Sequence, residues 1–93
     1  MLYVISYDIS IDRRRARVAK LLAGFGQRVQ RSVFECDLTE RQYAVLERKL
    51  RRLLKQAEGD SLRTYRLCAS CVKQVQIEGA GPPVEQSAEV YIV

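Results

Sequence analysis

The chain of 93 residues is long enough for one small domain and too short for two. It is 47% hydrophobic and 29% charged, which excludes a disordered tail, and no apolar run reaches the ~18 residues of a membrane-spanning helix. Because the first residues also lack the basic stretch of a secretory signal, we expect a soluble cytoplasmic protein. The net charge is +5, and the lack of histidine excludes imidazole-based catalysis and histidine zinc sites.

The predicted elements begin with a strand over residues 2–9, which is apolar on both faces until Ser6 and Asp8. Asp12 suits the N-cap of a first helix. The apolar residues that follow recur at the spacing of one helical face, and Gly24 marks the end of this helix.

Residues 28–38 form a stretch that is long for one strand, so we expect a bend or a tight bulged hairpin near Arg31 that divides it into two. The second helix has the clearest pattern in the sequence. Thr39 followed by Gln42 is the signature of a capping box, and apolar residues then keep helical spacing until Gly59 ends the helix.

Further strands are predicted over residues 61–67 and 72–77, which are again rich in β-branched and apolar side chains. We expect the folded domain to cover residues 1–78. Residues 79–93 then form a turn-rich linker and an apolar terminal strand, which either joins this sheet or docks on another chain.

The order β-α-β-β-α-β with additional C-terminal strands predicts an α+β protein, a ferredoxin-like sandwich in which two helices cover one face of an antiparallel sheet. Nothing in this order covers the other face, and the core of so short a chain is small. We therefore expect a homodimer.

Asp8 is the first candidate for chemistry, since a carboxylate at the end of an apolar strand is costly unless it is paired, hydrogen-bonded or bound to a metal. One interpretation is a partly exposed strand-end carboxylate that pairs with a nearby arginine. The other is a Mg²⁺ ligand, because Mg²⁺ takes one or two carboxylates with water and phosphate, and a two-fold dimer would supply a second Asp8. Such an ion can activate a phosphodiester without histidine.

Positive charge is concentrated between Asp12 and Glu35, where seven cations occur without an acidic residue, and 12 of the chain's 16 cations are arginines. Arginine binds phosphate through two parallel hydrogen bonds. Cations at the start of a helix oppose the helix dipole, so helix stability does not explain them. A solvated basic face is the alternative to the nucleic-acid surface that the pattern favours. The predicted nucleic-acid-binding residues are Arg13, Arg15, Arg17, Lys20, Arg28 and Arg31.

The cysteines are odd in number, which argues against an intramolecular disulfide framework. Cys68 and Cys71 have CxxC spacing, but zinc needs four ligands, so they could hold zinc only as a site shared between two chains. We interpret them as small buried residues at a strand end that are open to oxidation.

Several motifs follow one another along roughly residues 1–78: Tyr7-Asp8-Ile9-Ser10, Arg14-Arg15-x-Arg17-Val18-Ala19, Arg28-Val29-Gln30-x-Ser32-Val33-Phe34-Glu35, Thr39 and Asp60-Ser61-Leu62-Arg63-x-Tyr65. Each motif is weak alone, but their order and spacing resemble the CRISPR-associated endoribonucleases of spacer acquisition, the Cas2 family. At Ile11 the chain departs from the pattern, since many relatives carry another acidic residue there.

The resemblance implies a ferredoxin-like homodimer that is a metal-dependent endonuclease on single-stranded RNA, double-stranded DNA or both. It also implies a scaffold that joins the CRISPR integrase during spacer acquisition. The ion would be Mg²⁺ or Mn²⁺. The resemblance gives these roles: metal ligand for Asp8 of each protomer, shaping of the catalytic site for Tyr7 and Phe34, and phosphate binding for Arg15, Arg17 and Arg28.

Three other functions stay open. The protein could be a non-catalytic scaffold for nucleic acid and the integrase, in which Asp8 is incidental. It could be a toxin-type ribonuclease of the same fold. A small-molecule regulatory domain fits the fold but not the excess of arginine. Phe34 has its own alternative, since a residue between Val33 and Glu35 could simply pack in the core.

Overall fold

The computed structural model describes residues 1–84, and the apolar strand predicted at residues 89–93 lies outside them. No helix of the described part is long and apolar enough to cross a membrane. In chain order the elements are β1 (Leu2–Asp8), α1 (Asp12–Ala23), β2 (Gln27–Gln30), β3 (Val33–Asp37), α2 (Glu40–Leu53), a 3₁₀ turn (Gln56–Glu58), β4 (Ser61–Leu67) and α3 (Ala69–Val72). This order confirms the predicted β-α-β-β-α-β arrangement.

The four strands form one antiparallel sheet in the order β2-β3-β1-β4. β1 lies in the interior of the sheet, which agrees with its apolar sequence, and its Tyr3 is opposite Cys36 of β3 and Arg66 of β4. The same register places Asp8 opposite Ser61 at the end of the sheet.

The core lies between the sheet and the two long helices. Tyr3, Ile5 and Tyr7 alternate along β1 towards this side and are almost completely buried. Val18 and Leu22 of α1 are fully buried against them.

The predicted hairpin is confirmed, because β2 and β3 pair with a register shift between Arg28 and Gln30. The capping box of α2 is also confirmed. The Gln42 N–H donates to Thr39 Oγ1 at 3.1 Å, and the Thr39 N–H donates to Gln42 Oε1 at 2.9 Å.

Two predicted helix boundaries were wrong. The N-cap of α1 is Ile11, and Asp12 is the first helical residue, where its carboxylate binds Arg15 instead of capping backbone N–H groups. α2 ends at Leu53, six residues before Gly59. Gly59 has a left-handed φ of 89° and ends the following 3₁₀ turn.

The strand predicted over residues 72–77 was also wrong. Val72 ends α3, and the described chain then continues without a strand. Val72 and Val75 are half-buried while the residues between them are exposed, a spacing of three that suits a helical turn. Cys68 and Cys71 are exposed, not buried, and they belong to the short helix α3 and its N-cap, directly after the edge strand β4.

The chain itself covers part of the sheet face opposite the helices. Residues 75–82 line a narrow cleft with Val33 and Glu35, whose neighbours in β3 point into the core. At the β2 edge, Gln27 Nε2 donates to the Pro83 carbonyl at 2.7 Å. The face that we expected only a partner to cover is therefore partly covered from within, while Tyr65 of β4 remains 51% exposed. The domain boundary at residue 78 stays a prediction.

Candidate functional site

Asp8 ends β1 and is exposed. The alternation of side chains along β1 places Asp8 with Val4 and Ser6 on the face opposite the helices, whereas Tyr7 points towards them. Within residues 1–84 the Asp8 carboxylate makes no hydrogen bond or ion pair. The described chain therefore does not contain the arginine pairing considered above, and the carboxylate is accessible to a ligand.

An open cleft of about 560 Å³ lies between the end of β1, the first half of α1 and the β2–β3 turn. It brings together residues from three separate motifs, and its charged lining consists of three arginines and two carboxylates. The predicted site residues in its lining are Tyr7, Asp8, Arg15, Arg28 and Arg31, and Asp12 is the second carboxylate.

Arg15 holds the turn that follows Asp8. Its Nη1 donates to the Ile9 carbonyl at 2.9 Å and to the Ser10 carbonyl at 3.4 Å, and its Nη2 binds the Asp12 carboxylate. These contacts join the end of β1 to the first turn of α1, so Arg15 fixes the position of the strand end. Since much of the guanidinium is engaged inside the chain, fewer of its donors are free for phosphate than the sequence predicts.

Arg28 reaches the cleft from β2, and its guanidinium carbon lies 5.3 Å from the centre of the Phe34 ring. Phe34 is 2% exposed, and its ring centre is 6.3 Å from that of Tyr7. The structure thus places Tyr7 in the wall of the cleft and Phe34 beneath it, in the core. A direct catalytic role for Phe34 stays a prediction. In the structure, its ring supports the Arg28 guanidinium from the core side.

Two other predicted cations, Arg13 and Arg17, lie on the opposite side of the start of α1. Arg13 and Arg17 line a second cleft of about 870 Å³ together with Arg52 and Lys55 from the end of α2 and the residues after it. Lys20 is exposed further along α1 and lines neither cleft. The arginine run of the sequence is therefore divided between two basic clefts that meet at the first turn of α1.

The pair of Arg14 and Asp60 was missed by the sequence analysis. Arg14 Nε donates to Asp60 Oδ2 at 2.6 Å and Nη2 donates to Oδ1 at 3.1 Å, while the Lys55 N–H donates to Oδ2 at 2.9 Å. The hydrogen bond from Arg14 holds the pKa of the Asp60 carboxyl below its usual value, and the same bond raises the pKa of Arg14. The pair fastens α1 to the start of β4.

A signal for this pair existed, since Asp60 and Arg14 each belong to a recognised motif. The two residues are 46 positions apart, which kept the sequence from showing that their side chains meet. The Asp60 side chain is completely buried, which explains why it needs an arginine.

The donors near Asp8 decide whether a divalent ion fits. No three acidic or cysteine side chains of residues 1–84 gather into a metal-binding group. Asp12, the other carboxylate of the cleft, is paired with Arg15. Within residues 1–84 this cleft thus offers one available carboxylate, which suits Mg²⁺ where water, phosphate or a second chain completes its coordination.

Comparison with known proteins identifies the family. The family model described as CRISPR associated protein Cas2 matches residues 1–75. The chain is similar to CRISPR-associated endoribonuclease Cas2 1 of Chloroflexus aurantiacus, with 60% identity over 93 residues and 100% of both chains covered.

Similar folds occur in solved structures. One is Streptococcus pyogenes Cas2 at pH 6.5, with a TM-score of 0.74 and 32% identity over 85% of this chain and 100% of that chain. Another is a chain of a partial Cas6-RT-Cas1–Cas2 complex, with a TM-score of 0.73 and 32% identity over 92% of this chain and 98% of that chain. The family model and the full-length relative confirm the resemblance of the motifs, and the chain belongs to the Cas2 family.

Proposed function

We propose that this protein acts in CRISPR spacer acquisition as a homodimer that binds nucleic acid and the CRISPR integrase, and that it cleaves phosphodiester bonds with a divalent metal ion at Asp8. The observation that carries the cleavage proposal is the accessible Asp8 carboxylate in one cleft with Arg28 and Arg31. The name of the C. aurantiacus relative, an endoribonuclease, supports it. The similar chain in a Cas1–Cas2 complex supports the integrase as a partner.

The residues of the cleft have separate roles in this proposal. Asp8 would hold Mg²⁺ or Mn²⁺, which supplies Lewis-acid activation of a phosphodiester when bound. Arg28 and Arg31 bind the non-bridging phosphate oxygens, and the Phe34 ring restricts the Arg28 guanidinium from below. Arg15 keeps the turn after Asp8 in place through the carbonyls that it binds.

A second copy of the chain would complete the ligand set. Asp8 faces the side of the sheet opposite the helices, where the β1–β4 half includes the exposed Tyr65. A two-fold axis through this half would bring the two Asp8 carboxylates together and remove Tyr65 from water. We therefore place the dimer interface here, beside the half that residues 75–82 cover.

The cleavage proposal is tested with Asp8→Asn, which keeps the size of the side chain and removes its charge. Cleavage of single-stranded RNA and of duplex DNA is measured with Mg²⁺, with Mn²⁺ and with a chelator. We expect Asp8→Asn to lose more than about 100-fold in rate, since even an outer-shell partner of a metal is worth ~10–100-fold. Chelation should abolish the wild-type activity.

The matched control is Glu47→Gln, which removes one carboxylate from the exposed face of α2, where Glu47 pairs with Arg51 at 3.6 Å. This variant should cleave like the wild type. Cleavage by Asp8→Asn at the wild-type rate, or wild-type cleavage in the presence of the chelator, would show that the proposed site is not the source of the activity.

A non-catalytic scaffold is the second candidate, and the division of the arginines between two clefts favours it, because one small active site does not need both. Spacer acquisition in cells that carry Asp8→Asn separates the two functions. Acquisition at the wild-type level would assign the physiological role to the scaffold. If the scaffold includes the terminal segment, removal of residues 84–93 should abolish association with the integrase and leave the dimer intact.

Binding of nucleic acid has its own test, the dependence of affinity on salt. Arg31→Ala should reduce the slope of log K against log salt by about 1, since each phosphate contact releases roughly one counterion. Arg51→Ala, which removes a cation paired with Glu47 on α2, should leave the slope unchanged. Equal slopes for wild type and Arg31→Ala would place the phosphate contacts elsewhere.

A further inference from the structure

Two exposed cysteines lie where the chain leaves β4. Cys68 directly follows this strand and is the N-cap of α3, and Cys71 lies one helical turn further on. The Val72 N–H donates to the Cys68 carbonyl at 3.0 Å, which closes the turn between them. Helical geometry separates such Cα atoms by about 5 Å, within the range of roughly 4.4–6.8 Å that a disulfide bridges.

The two thiols also interact with each other. Cys68 Sγ lies 3.1 Å from Ser70 Oγ, and Cys68 and Cys71 each shift the pKa of the other. The Ser70 hydroxyl and the Cys71 backbone N–H lower the pKa of the Cys68 thiol to about 7, whereas the bond to Cys68 raises the pKa of Cys71. Near pH 7, Cys68 is therefore the nucleophile of the pair, and Cys71 is held as a thiol beside it.

We propose that Cys68 and Cys71 are a redox-active dithiol that forms an intramolecular disulfide by exchange with small disulfide oxidants, such as oxidised glutathione. The Cys68 thiolate attacks one sulfur of the oxidant, which forms a mixed disulfide and releases one thiolate. Cys71 then loses its proton, attacks the Cys68 sulfur and releases the second thiolate. The two leaving thiolates take up the two cysteine protons, so the cysteine pair loses two electrons and the oxidant gains two.

The surroundings of the pair favour this chemistry over the other fates of a cysteine. Cys36 is completely buried in β3, so its thiol is out of reach of both the pair and the oxidant. Zinc would need two further ligands, and the described residues contain no group of three metal-binding side chains.

Cys68 and Cys71 lie just before residues 75–82, the segment that covers part of the sheet face opposite the helices. Within this turn the Gln74 N–H donates to the Cys71 carbonyl at 2.9 Å, and the Val75 N–H donates to the Val72 carbonyl at 3.2 Å. A disulfide would close the turn covalently, so these amides should exchange with solvent more slowly in the oxidised form.

The experiment equilibrates the full-length protein with glutathione redox buffers at pH 7, stops exchange with acid, and counts free thiols by alkylation under denaturing conditions and mass spectrometry. We expect three labelled thiols in the reduced form and one, Cys36, in the oxidised form. Cys71→Ser should accumulate a glutathione adduct at Cys68, because the resolving thiol is missing. Cys68→Ser should form this adduct about a few-fold more slowly, since less of the remaining Cys71 thiol is ionised at pH 7 and its higher intrinsic nucleophilicity offsets only part of that difference.

Several results would overturn the proposal. They are three labelled thiols at every glutathione ratio, a product linked between two chains in place of the internal disulfide, or zinc that copurifies with wild type and is lost in Cys68→Ser. Faster adduct formation by Cys68→Ser than by Cys71→Ser would reverse the assigned roles and so refute the mechanism. Unchanged exchange of the Gln74 and Val75 amides on oxidation would refute the effect on the segment after the pair. None of these readouts depends on nuclease activity.

Discussion

Gly26 joins α1 to β2 at a place where the backbone approaches β3 very closely. A Cβ added at Gly26 would lie 2.2 Å from the Glu35 carbonyl oxygen, 2.5 Å from Cys36 Sγ and 2.8 Å from Cys36 Cα. All three distances are below the 3.0 Å that Cβ contacts respect, and two of the atoms belong to the backbone of β3. Since no change of side-chain rotamer relieves them, Gly26→Ala must displace β2, which carries Arg28 into the cleft.

The magnitude follows from the overlap. Overpacking usually costs about 1–3 kcal/mol, and we expect about 3 kcal/mol here because the strands themselves must separate. For a domain of this size, 1 kcal/mol lowers Tm by roughly 4–8 °C, so Gly26→Ala should lower it by about 12–24 °C. Gly24 is a matched control, since its φ of −76° is open to any residue and its added Cβ would meet only the Leu21 carbonyl at 3.4 Å. Gly24→Ala should gain about 0.4–1 kcal/mol by restricting the unfolded chain.

The assay is thermal unfolding followed by circular dichroism, with all variants at one protein concentration because association shifts Tm. We expect Gly24→Ala to have the highest Tm, the wild type an intermediate Tm and Gly26→Ala the lowest. A Gly26→Ala protein that melts with the wild type would refute the close approach of β2 to β3, and with it the placement of Arg28.

Asp60→Asn should be less stable than wild type by an amount that is constant from about pH 5 to pH 8 and shrinks as the pH falls below the ordinary carboxyl pKa of 3.8. The reason is that Arg14 lowers the pKa of Asp60, so the contribution of the carboxylate is complete above that value and is lost as the folded protein takes up the proton; a difference in Tm that is as large at pH 2 as at pH 7 would contradict this. Thr39→Ala should cost about 1 kcal/mol, or roughly 4–8 °C in Tm, by removing the capping bond to Gln42, and Thr39→Ser should retain the wild-type Tm because it keeps the hydroxyl. Phe34→Ala should lower the free energy of unfolding by about 3–5 kcal/mol, because it empties a buried site beneath the cleft, and urea unfolding measures this loss. The cleavage rates of the variant and the wild type are then compared at a temperature at which both proteins are folded.

Local patterns in the sequence determined the order of the elements. The apolar strand that ends at Asp8, the bulged hairpin and the capping box at Thr39 all depend on residues within a few positions of one another. Interactions at this range act in the same way wherever the segment docks, which is why they could be predicted. The order and spacing of the motifs predicted membership of the Cas2 family, which the full-length relative confirmed.

Local patterns gave a wrong prediction where a segment was compatible with two structures and only its contacts in the folded protein selected one of them. Residues 72–77 have the composition of a strand, but Val72 ends a helical turn and none of these residues pairs with the sheet in the part of the chain that the structure describes. Asp12 has the chemistry of an N-cap, yet its carboxylate is bound by Arg15.

Only the tertiary structure decided how the charges are distributed. The run of arginines is continuous in sequence, but successive residues of a helix point in different directions, so the run is divided between two clefts and a buried pair. The packing of α1 on the sheet brings Arg14 to Asp60, whereas the Phe34 ring lies beneath Arg28 because the two residues are opposite each other in the β2–β3 hairpin. The sequence by itself therefore determined which charged residues the protein carries, and the fold decided which of them lie together, because contacts between distant segments exist only once the helices and the sheet are packed.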